Sequence, residues 1–265
     1  MTTPQQLDLF SSGGAAPPLP RRVEDPRRLP DAALIAAIPR AGQLDAPGLA
    51  REAARRGLSD AVPALESLCR RFAGFGREHE IAEQTAALGA LAALGGKAAT
   101  EAVTRLIVSD AVAGPGRTCA LEAAAALACQ LPPERIAAWL RDDDPAVRAA
   151  ACGIARTHPA VIAVLIDLLT DLHPPVVQAA ALALSRLGQR QGTGVLLRML
   201  AAEPTPTVIA ALGSVAGEDE CVRLGQIALT HPDLAPAVLA ALDECDVPRA
   251  AVVAAGVRRR LGLSI

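Results

Sequence analysis

The sequence predicts an all-α protein, a right-handed solenoid of about seven stacked helix pairs with a disordered N-terminal tail. The first observation is an internal repeat: Pro145-Ala-Val-Arg-Ala-Ala-Ala151 returns as Pro175-Val-Val-Gln-Ala-Ala-Ala181 and, more loosely, as Pro206-Thr-Val-Ile-Ala-Ala-Leu212. The second is composition, since 51% of the 265 residues are hydrophobic but only 2% are aromatic and none is tyrosine. Such a composition disfavours a β-sandwich. A repeat of this length with helical content is typical of stacked helix pairs.

Each copy begins with proline, which suits the first turn of a helix because its missing N–H has no partner there. Apolar residues then recur at helical spacing, for example Val177, Ala180 and Leu184. A short helix, capped by Asp31 and ending at Ile38, is expected before the first pair. The predicted pairs are 47–57 with 60–72, 80–95 with 97–109, 117–130 with 133–141, 145–157 with 160–170, 175–188 with 193–201, 206–216 with 218–229, and 233–243 with 247–261.

The segment Asp142-Asp-Asp-Pro-Ala-Val-Arg148 resembles the inter-repeat signature of the short HEAT repeat, also called the PBS-lyase repeat. The resemblance covers roughly residues 45–261 and is firmest over 132–217. It implies a HEAT-like α-solenoid over 31–265 whose second helices line the concave side. An unidentified protein partner on that concave face is expected. The resemblance leaves the task of the solenoid open.

Charge and cysteine usage limit the function classes. The net charge is −2 and the only lysine is Lys97, so the chain lacks the basic excess of a protein that coats DNA, and direct DNA contact is expected to be weak. The predominance of arginine over lysine, together with abundant alanine, indicates a bacterial source with a GC-rich genome. Six cysteines without a C-x-x-C pair predict buried free thiols in a reducing cytoplasm. No uncharged run has the roughly 18 residues of a membrane span, and no signal-peptide pattern is present.

Residues 1–30 form the predicted tail, because 11–30 are rich in Ser, Gly, Pro and Arg and show no apolar periodicity. Ahead of them stands a short apolar island, Gln6-Leu7-Asp8-Leu9-Phe10. The tail also contains Pro17-Pro-Leu-Pro20 followed by Arg21 and Arg22, a pattern typical of a polyproline II ligand for an aromatic groove. A simple spacer is the preferred interpretation of that second segment.

The island resembles the bacterial sliding-clamp-binding motif, with the consensus QL(S/D)LF, at all five positions. The resemblance implies that Gln6 makes polar contacts at the rim of the clamp's peptide pocket and that Leu7 fills one subsite. Leu9 and Phe10 would fill a deeper subsite, and Asp8 stands at the tolerant position. A staple onto the chain's own solenoid and a chance match remain as alternatives.

A second candidate site lies between the first two helix pairs, in Arg70-Arg-Phe-Ala-Gly-Phe-Gly-Arg77. One interpretation is a helix end with glycine C-caps and with both phenylalanines tucked under the turn. The other is a partner-binding loop in which arginines and exposed aromatic rings grip a ligand. Its candidate residues are Arg70, Arg71, Phe72, Phe75 and Arg77.

No catalytic residue, cofactor site or metal site is predicted. Trp139 and Asp143 are spaced as in HEAT-like alkylpurine DNA glycosylases, but those enzymes use several aromatic residues in a basic cleft. The single dipeptide His79-Glu80 falls short of the several that HEAT-repeat di-iron hydroxylases need. The sequence therefore favours a non-enzymatic scaffold tethered to the sliding clamp in replication or repair. A glycosylase-type repair enzyme and a general protein–protein scaffold are the alternatives.

Overall fold

The structure, a computed structural model, describes residues 25–263, and every regular element in that range is helical. The α-helices are α1 (Asp31–Ala37), α2 (Ala46–Arg55), α3 (Val62–Arg71), α4 (Ala82–Leu94), α5 (Gly96–Val108), α6 (Gly116–Ala126), α7 (Pro133–Trp139), α8 (Pro145–Gly153), α9 (Pro159–Asp167), α10 (Pro174–Arg186), α11 (Thr193–Ala202), α12 (Pro206–Gly213), α13 (Glu218–Thr230), α14 (Ala235–Asp243) and α15 (Pro248–Leu261).

The helices from α2 onward form seven pairs. The pairs stack so that their first helices form one row and their second helices form another. The first helices of the pairs, from α2 through α4, α6, α8, α10 and α12 to α14, each contact the next one in the row. In the other row α3 contacts α5, α7 contacts α9 and α13 contacts α15, whereas contacts between α5 and α7, α9 and α11, and α11 and α13 are sparse. The predicted all-α solenoid and its seven helix pairs are confirmed.

Local signals fix where many helices begin. Proline stands at the first position of α8, where the Asp144 carboxylate accepts the N–H of Ala146 at 2.9 Å. Thr205 caps α12 in the same way, its hydroxyl accepting the N–H of Val208 at 3.3 Å. The expectation for Asp31 is wrong, because Pro30 occupies the N-cap and Asp31 is the first helical residue, where its carboxylate pairs with Arg56.

Small residues let neighbouring first helices approach closely. Ala87, Ala124, Ala151 and Ala180 are each 0% exposed and lie on the sides of α4, α6, α8 and α10 that pack together. A side chain at Gly213 would place its Cβ 2.7 Å from the Cβ of Ala241 on α14. The high alanine content of the sequence is therefore explained by packing, because larger side chains would not fit between these helices.

Arginine side chains join successive repeats. The Arg148 guanidinium donates to the Asp171 carboxylate at 2.9 and 3.1 Å, and Arg117 makes the corresponding contact with Asp142 at 3.3 Å. Gln178 holds this position in the following repeat, so the series of ion pairs ends there. Arg186 reaches back to the carbonyl of Cys152 at 2.8 Å and so satisfies an acceptor at the C-terminal end of α8.

Residues 25–30, which the sequence analysis places in the tail, belong to the described part of the chain. Pro26–Arg28 form a 3-10 helix, and the Arg56 guanidinium donates to the carbonyls of Pro26, Arg27 and Leu29 at 3.0, 3.0 and 2.8 Å. Arg56 therefore satisfies three backbone acceptors of this segment and attaches it to α2. Residues 1–24, which include the clamp-like motif, lie outside the described residues.

The buried core consists of two hydrophobic clusters that share α10. The first runs from Leu34 to Leu184 and the second from Ala181 to Val257. Ala180 and Leu184 on α10 belong to the first cluster, whereas Ala181 belongs to the second. Across residues 25–263, no helix is both long enough and apolar enough to cross a membrane.

Candidate functional site

The loop between α3 and α4 is the strongest candidate site within the described residues. Phe75 is 66% exposed at the surface of the body, whereas Phe72 is half-buried. The Arg71 guanidinium lies 4.5 Å from the centre of the Phe72 ring and donates to the carbonyls of Pro39 and Ala41 at 2.9 and 2.6 Å. Phe72 therefore fits the interpretation in which a ring packs under the turn. Phe75 fits the interpretation in which a ring is exposed to a partner.

The two remaining arginines of the predicted loop differ in their surroundings. Arg70 donates to the Glu66 carboxylate at 2.9 and 3.1 Å, and Glu66 also accepts from Arg105 of the next repeat at 2.7 Å. These hydrogen bonds hold the pKa of Glu66 below its ordinary value. Arg77 is exposed and forms no ion pair with any residue from 25 to 263.

The loop has a fixed shape. Gly74 and Gly76 adopt positive φ angles of 85° and 76°. This backbone conformation favours glycine because a Cβ would make it strained. A Cβ on Gly76 would lie 3.0 Å from the Ile81 side chain, and one on Gly114 would collide with the carbonyls of Gly76 and Arg77. The loop after α5 therefore packs against the loop after α3. These contacts restrict the conformation of the segment from which the Phe75 side chain projects into solvent.

A groove with a volume of about 410 Å³ runs beside this loop. Its lining residues are Gln43, Arg71, Phe72, Phe75, Glu80, Ile81, Ala82 and Glu83. A second groove of about 380 Å³ continues past Glu80 and Ala82 along α2 and α4, where Pro47 and Arg51 line it. We call these two together the α2–α4 groove.

Two carboxylates line the α2–α4 groove. Glu80 accepts from the Thr85 hydroxyl at 2.7 Å and from the Cys119 thiol at 3.4 Å. Glu83 is only 8% exposed, and no described residue donates a hydrogen bond to it or pairs with it. Neither carboxylate has a cationic partner in the described part of the chain. Arg51 and Arg71 line the same groove, so its charged lining is mixed and lies beside the rings of Phe72 and Phe75.

The other side chains singled out by the sequence are structural. Trp139 is 8% exposed, with the Arg135 guanidinium 5.4 Å from its ring centre, and Arg135 also pairs with Asp110 at 2.9 Å. The cavity beside Trp139 holds about 10 Å³, which has room for a water but not for a nucleotide base. His158 and His173 each stand before a proline and occupy the N-caps of α9 and α10.

The thiols are free and largely buried. Cys69, Cys129, Cys152 and Cys221 are buried, and Cys119 and Cys245 are half-buried. Burial raises the pKa of the Cys69 and Cys152 thiols to about 12, well above the range of reactive cysteines. In residues 25–263, no group of three or more His, Cys, Asp or Glu side chains is arranged to hold a metal ion.

Sequence reasoning missed Glu83, although a signal was available. Glu83 and Gln84 occupy buried positions at the start of α4, in a helix that consists mostly of alanine and leucine. The Gln84 amide donates to the carbonyls of Cys69 and Ala111 at 3.0 Å each, so it is satisfied by neighbouring repeats. Glu83 lacks such partners, which distinguishes a position facing a groove from one inside the core.

Comparison with known proteins agrees with this architecture. A family model of HEAT repeats matches residues 132–216, which spans the copies at Pro145, Pro175 and Pro206. No curated protein matches the chain at a significant level. HEAT repeats are typical of surfaces on which other proteins are assembled. The chain is an α-solenoid, and its residues 132–216 are similar to HEAT repeats.

Proposed function

We propose that this chain is a non-enzymatic interaction scaffold held at the bacterial sliding clamp by Gln6–Phe10. The observation that carries the proposal is the match of these five residues to the clamp-binding consensus at all five positions. Three large apolar side chains in five residues, ahead of a Pro- and Gly-rich stretch, also suit a peptide that is buried by a partner. In this proposal the scaffold acts in DNA replication or repair.

The position of the motif relative to the folded body supports a tether. The described part of the chain begins at Asp25, fifteen residues after Phe10. A chain of that length spans up to about 50 Å when extended. The clamp and the solenoid could therefore be engaged at the same time without a steric clash between them.

The solenoid would present its surface to a second protein. Phe75 and the adjacent α2–α4 groove supply an exposed aromatic ring beside charged side chains, which is the composition of a protein-binding hot spot. Direct DNA binding has less support. Arg70, Arg105 and Arg135 of the second helices are already paired with carboxylates, so they are not a free row of phosphate ligands.

Binding of the host's sliding clamp tests the proposal. A peptide of residues 1–15 should bind with a Kd on the order of micromolar, about −8 kcal/mol. Replacing Leu9 and Phe10 by alanine in the full chain should weaken binding at least about a hundredfold, because it removes the two deepest apolar anchors. Asp8→Ser is the matched control and should bind as the wild type does. Unchanged affinity of the double alanine variant would refute the tether.

A general scaffold that is unrelated to the clamp is the second candidate function. It is favoured by the HEAT match, which lies entirely outside the motif. The two candidates differ in one measurement, since only the tethered scaffold binds the sliding clamp and loses that binding when residues 1–15 are removed. The glycosylase alternative has no such support, because Trp139 is part of the core and the cavity beside it is too small for a base.

A further inference from the structure

Two of the six thiols contact each other in the C-terminal repeats. The Sγ atoms of Cys221, on α13, and Cys245, in the loop between α14 and α15, lie 3.9 Å apart. Each of the other four thiols donates to an oxygen: Cys69 to the Gln84 carbonyl, Cys119 to the Glu80 carboxylate, Cys129 to the Thr100 carbonyl and Cys152 to the Arg148 carbonyl. Within residues 25–263, Cys221 and Cys245 are therefore distinguished by having each other as partners.

The two side chains are placed so that a small movement would allow a disulfide bond. An S–S bond is about 2.05 Å long, so the two sulfurs must approach by roughly 2 Å from their separation of 3.9 Å. Rotation of a cysteine side chain between staggered rotamers moves its sulfur by up to about 3 Å. Cys245 also lies in a loop, so a backbone shift at this residue leaves α13 intact. The bond can therefore form without unfolding of either helix pair.

The two thiols differ in their access to solvent. Cys245 is half-buried, whereas Cys221 is 0% exposed. Burial, and then the contact with Cys245, raises the pKa of the Cys221 thiol to about 11, so Cys221 is protonated at neutral pH. The thiolate is the form that reacts with oxidants, and a redox-sensing cysteine commonly has a second, resolving cysteine beside it. Cys245 is placed for the first role and Cys221 for the second.

We propose that Cys221 and Cys245 form a reversible oxidation site, which hydrogen peroxide converts to a disulfide. The Cys245 thiolate attacks one peroxide oxygen, the O–O bond breaks, and water leaves once the released hydroxide takes up a proton. The Cys221 sulfur then loses its proton and attacks the sulfur of the Cys245 sulfenic acid. The S–S bond forms, the S–O bond breaks, and the oxygen leaves as water. In sum, the two thiols are oxidised to a disulfide and one peroxide is reduced to two waters.

The disulfide would join the sixth helix pair to the seventh. Cys221 belongs to the pair of α12 and α13, and Cys245 connects the two helices of the last pair. The bond would close a loop between residues 24 apart in the sequence and so restrict the unfolded chain. Oxidation should therefore stabilise the last two helix pairs. This inference goes beyond the proposed function and does not depend on it.

Peptide mapping of the full-length chain after treatment with hydrogen peroxide tests the proposal. The chain is denatured, its remaining thiols are blocked with iodoacetamide, and it is digested with trypsin. Cys221 is then the only cysteine of peptide 199–223, and Cys245 is the only cysteine of peptide 224–249. The expected product is these two peptides joined, lighter than the two thiol forms together by the mass of two hydrogen atoms. It should come from monomeric protein, and dithiothreitol should separate the peptides again.

Cysteine variants identify the role of each sulfur. Cys221→Ala should give no joined peptides, and dimedone should trap a sulfenic acid at Cys245. Cys245→Ser should leave Cys221 as a free thiol after the same treatment. Cys119→Ser is the matched control, because it removes the other half-buried thiol, and it should give the wild-type yield of joined peptides. The oxidised wild type should also melt about 5–10 °C above the reduced wild type.

Three results would overturn the proposal. The first is recovery of Cys221 and Cys245 from the oxidised wild type as separate peptides, whether as thiols or as sulfinic acids. The second is a disulfide that joins different cysteines or that forms only between two chains. The third is an unchanged melting temperature of the joined form, which would refute the coupling of the last two helix pairs. These measurements do not use the clamp, so such results would leave the clamp proposal standing.

Discussion

Replacing Arg148 by alanine should destabilise the solenoid strongly, because one side chain joins two successive inter-repeat turns. Its guanidinium donates to the Asp171 carboxylate at 2.9 and 3.1 Å, and to the carbonyls of Asp142 and Asp143 at 2.8 and 3.1 Å. The side chains of Arg148 and Asp171 are only 13% and 9% exposed. The substitution therefore leaves a mostly buried carboxylate without its cation and two carbonyls without a donor.

The expected loss is about 3 kcal/mol in the free energy of unfolding. Removing one partner of a fully buried ion pair costs about 3–5 kcal/mol, and the small remaining exposure places this pair at the lower end. For a chain of this size that loss corresponds to a fall of roughly 6–12 °C in the melting temperature. Urea unfolding followed by circular dichroism measures it directly.

The pH dependence provides an independent check. Hydrogen bonds from Arg148, and then from the N–H of His173, hold the pKa of Asp171 below its ordinary value of 3.8. A carboxyl with a lowered folded-state pKa stabilises the fold above its unfolded pKa, and this contribution disappears as pH falls through the folded value. The stability of the wild type should therefore decrease below pH 3.8 more steeply than that of Arg148→Ala.

Gln178 offers a matched control, because it stands three residues after Pro175 just as Arg148 follows Pro145. It is exposed and makes no ion pair with the described residues, so Gln178→Ala should change the free energy of unfolding by less than about 0.5 kcal/mol. If Arg148→Ala were no more destabilising than Gln178→Ala, the proposed role of the arginine pairs between repeats would be wrong.

Three further predictions follow from burial and contacts. Ala180 on α10 is 0% exposed and belongs to the first hydrophobic cluster, so Ala180→Arg should cost several kcal/mol, and an unchanged melting temperature would contradict the packing of α10. A chain that begins at residue 31 should melt about 4 °C below one that begins at residue 25, because it lacks the three carbonyls to which Arg56 donates. Equal melting temperatures would show that these hydrogen bonds do not stabilise the fold. A thiol reagent at pH 8 should modify half-buried Cys119 before buried Cys152, as mass spectrometry would detect, whereas the reverse order would contradict the burial pattern.

The helix pairs could be predicted from sequence because their signals are local. Proline at 145 and 206, followed by apolar residues at helical spacing, begins α8 and α12 where expected, and α10 begins one residue early at Pro174. Each helix needs only its own periodicity and a neighbour of the same kind. The conformation of residues 25–30 cannot be predicted from such local signals. It depends on hydrogen bonds from Arg56, which lies about thirty residues further along the chain.

The candidate site could be predicted only in part. The loop was located from its composition, but which phenylalanine is exposed depends on contacts from distant segments. Arg71 reaches carbonyls at Pro39 and Ala41, and Gly114 supports Gly76 from the loop after α5. The groove beside the loop exists only when α2 and α4 are placed side by side. Glu83 becomes unusual only when the lack of a partner around it is known.

The division of the hydrophobic core at α10 affects how the solenoid unfolds. One cluster ends and the other begins on this helix, and the series of arginine–aspartate pairs stops at the same repeat, where Gln178 replaces arginine. In a stacked array, cooperativity between neighbours is set by the coupling at each interface. The weaker coupling after α10 lets the C-terminal repeats lose structure while the N-terminal repeats stay folded. Equilibrium unfolding should therefore pass through a half-folded intermediate that retains α2 to α10.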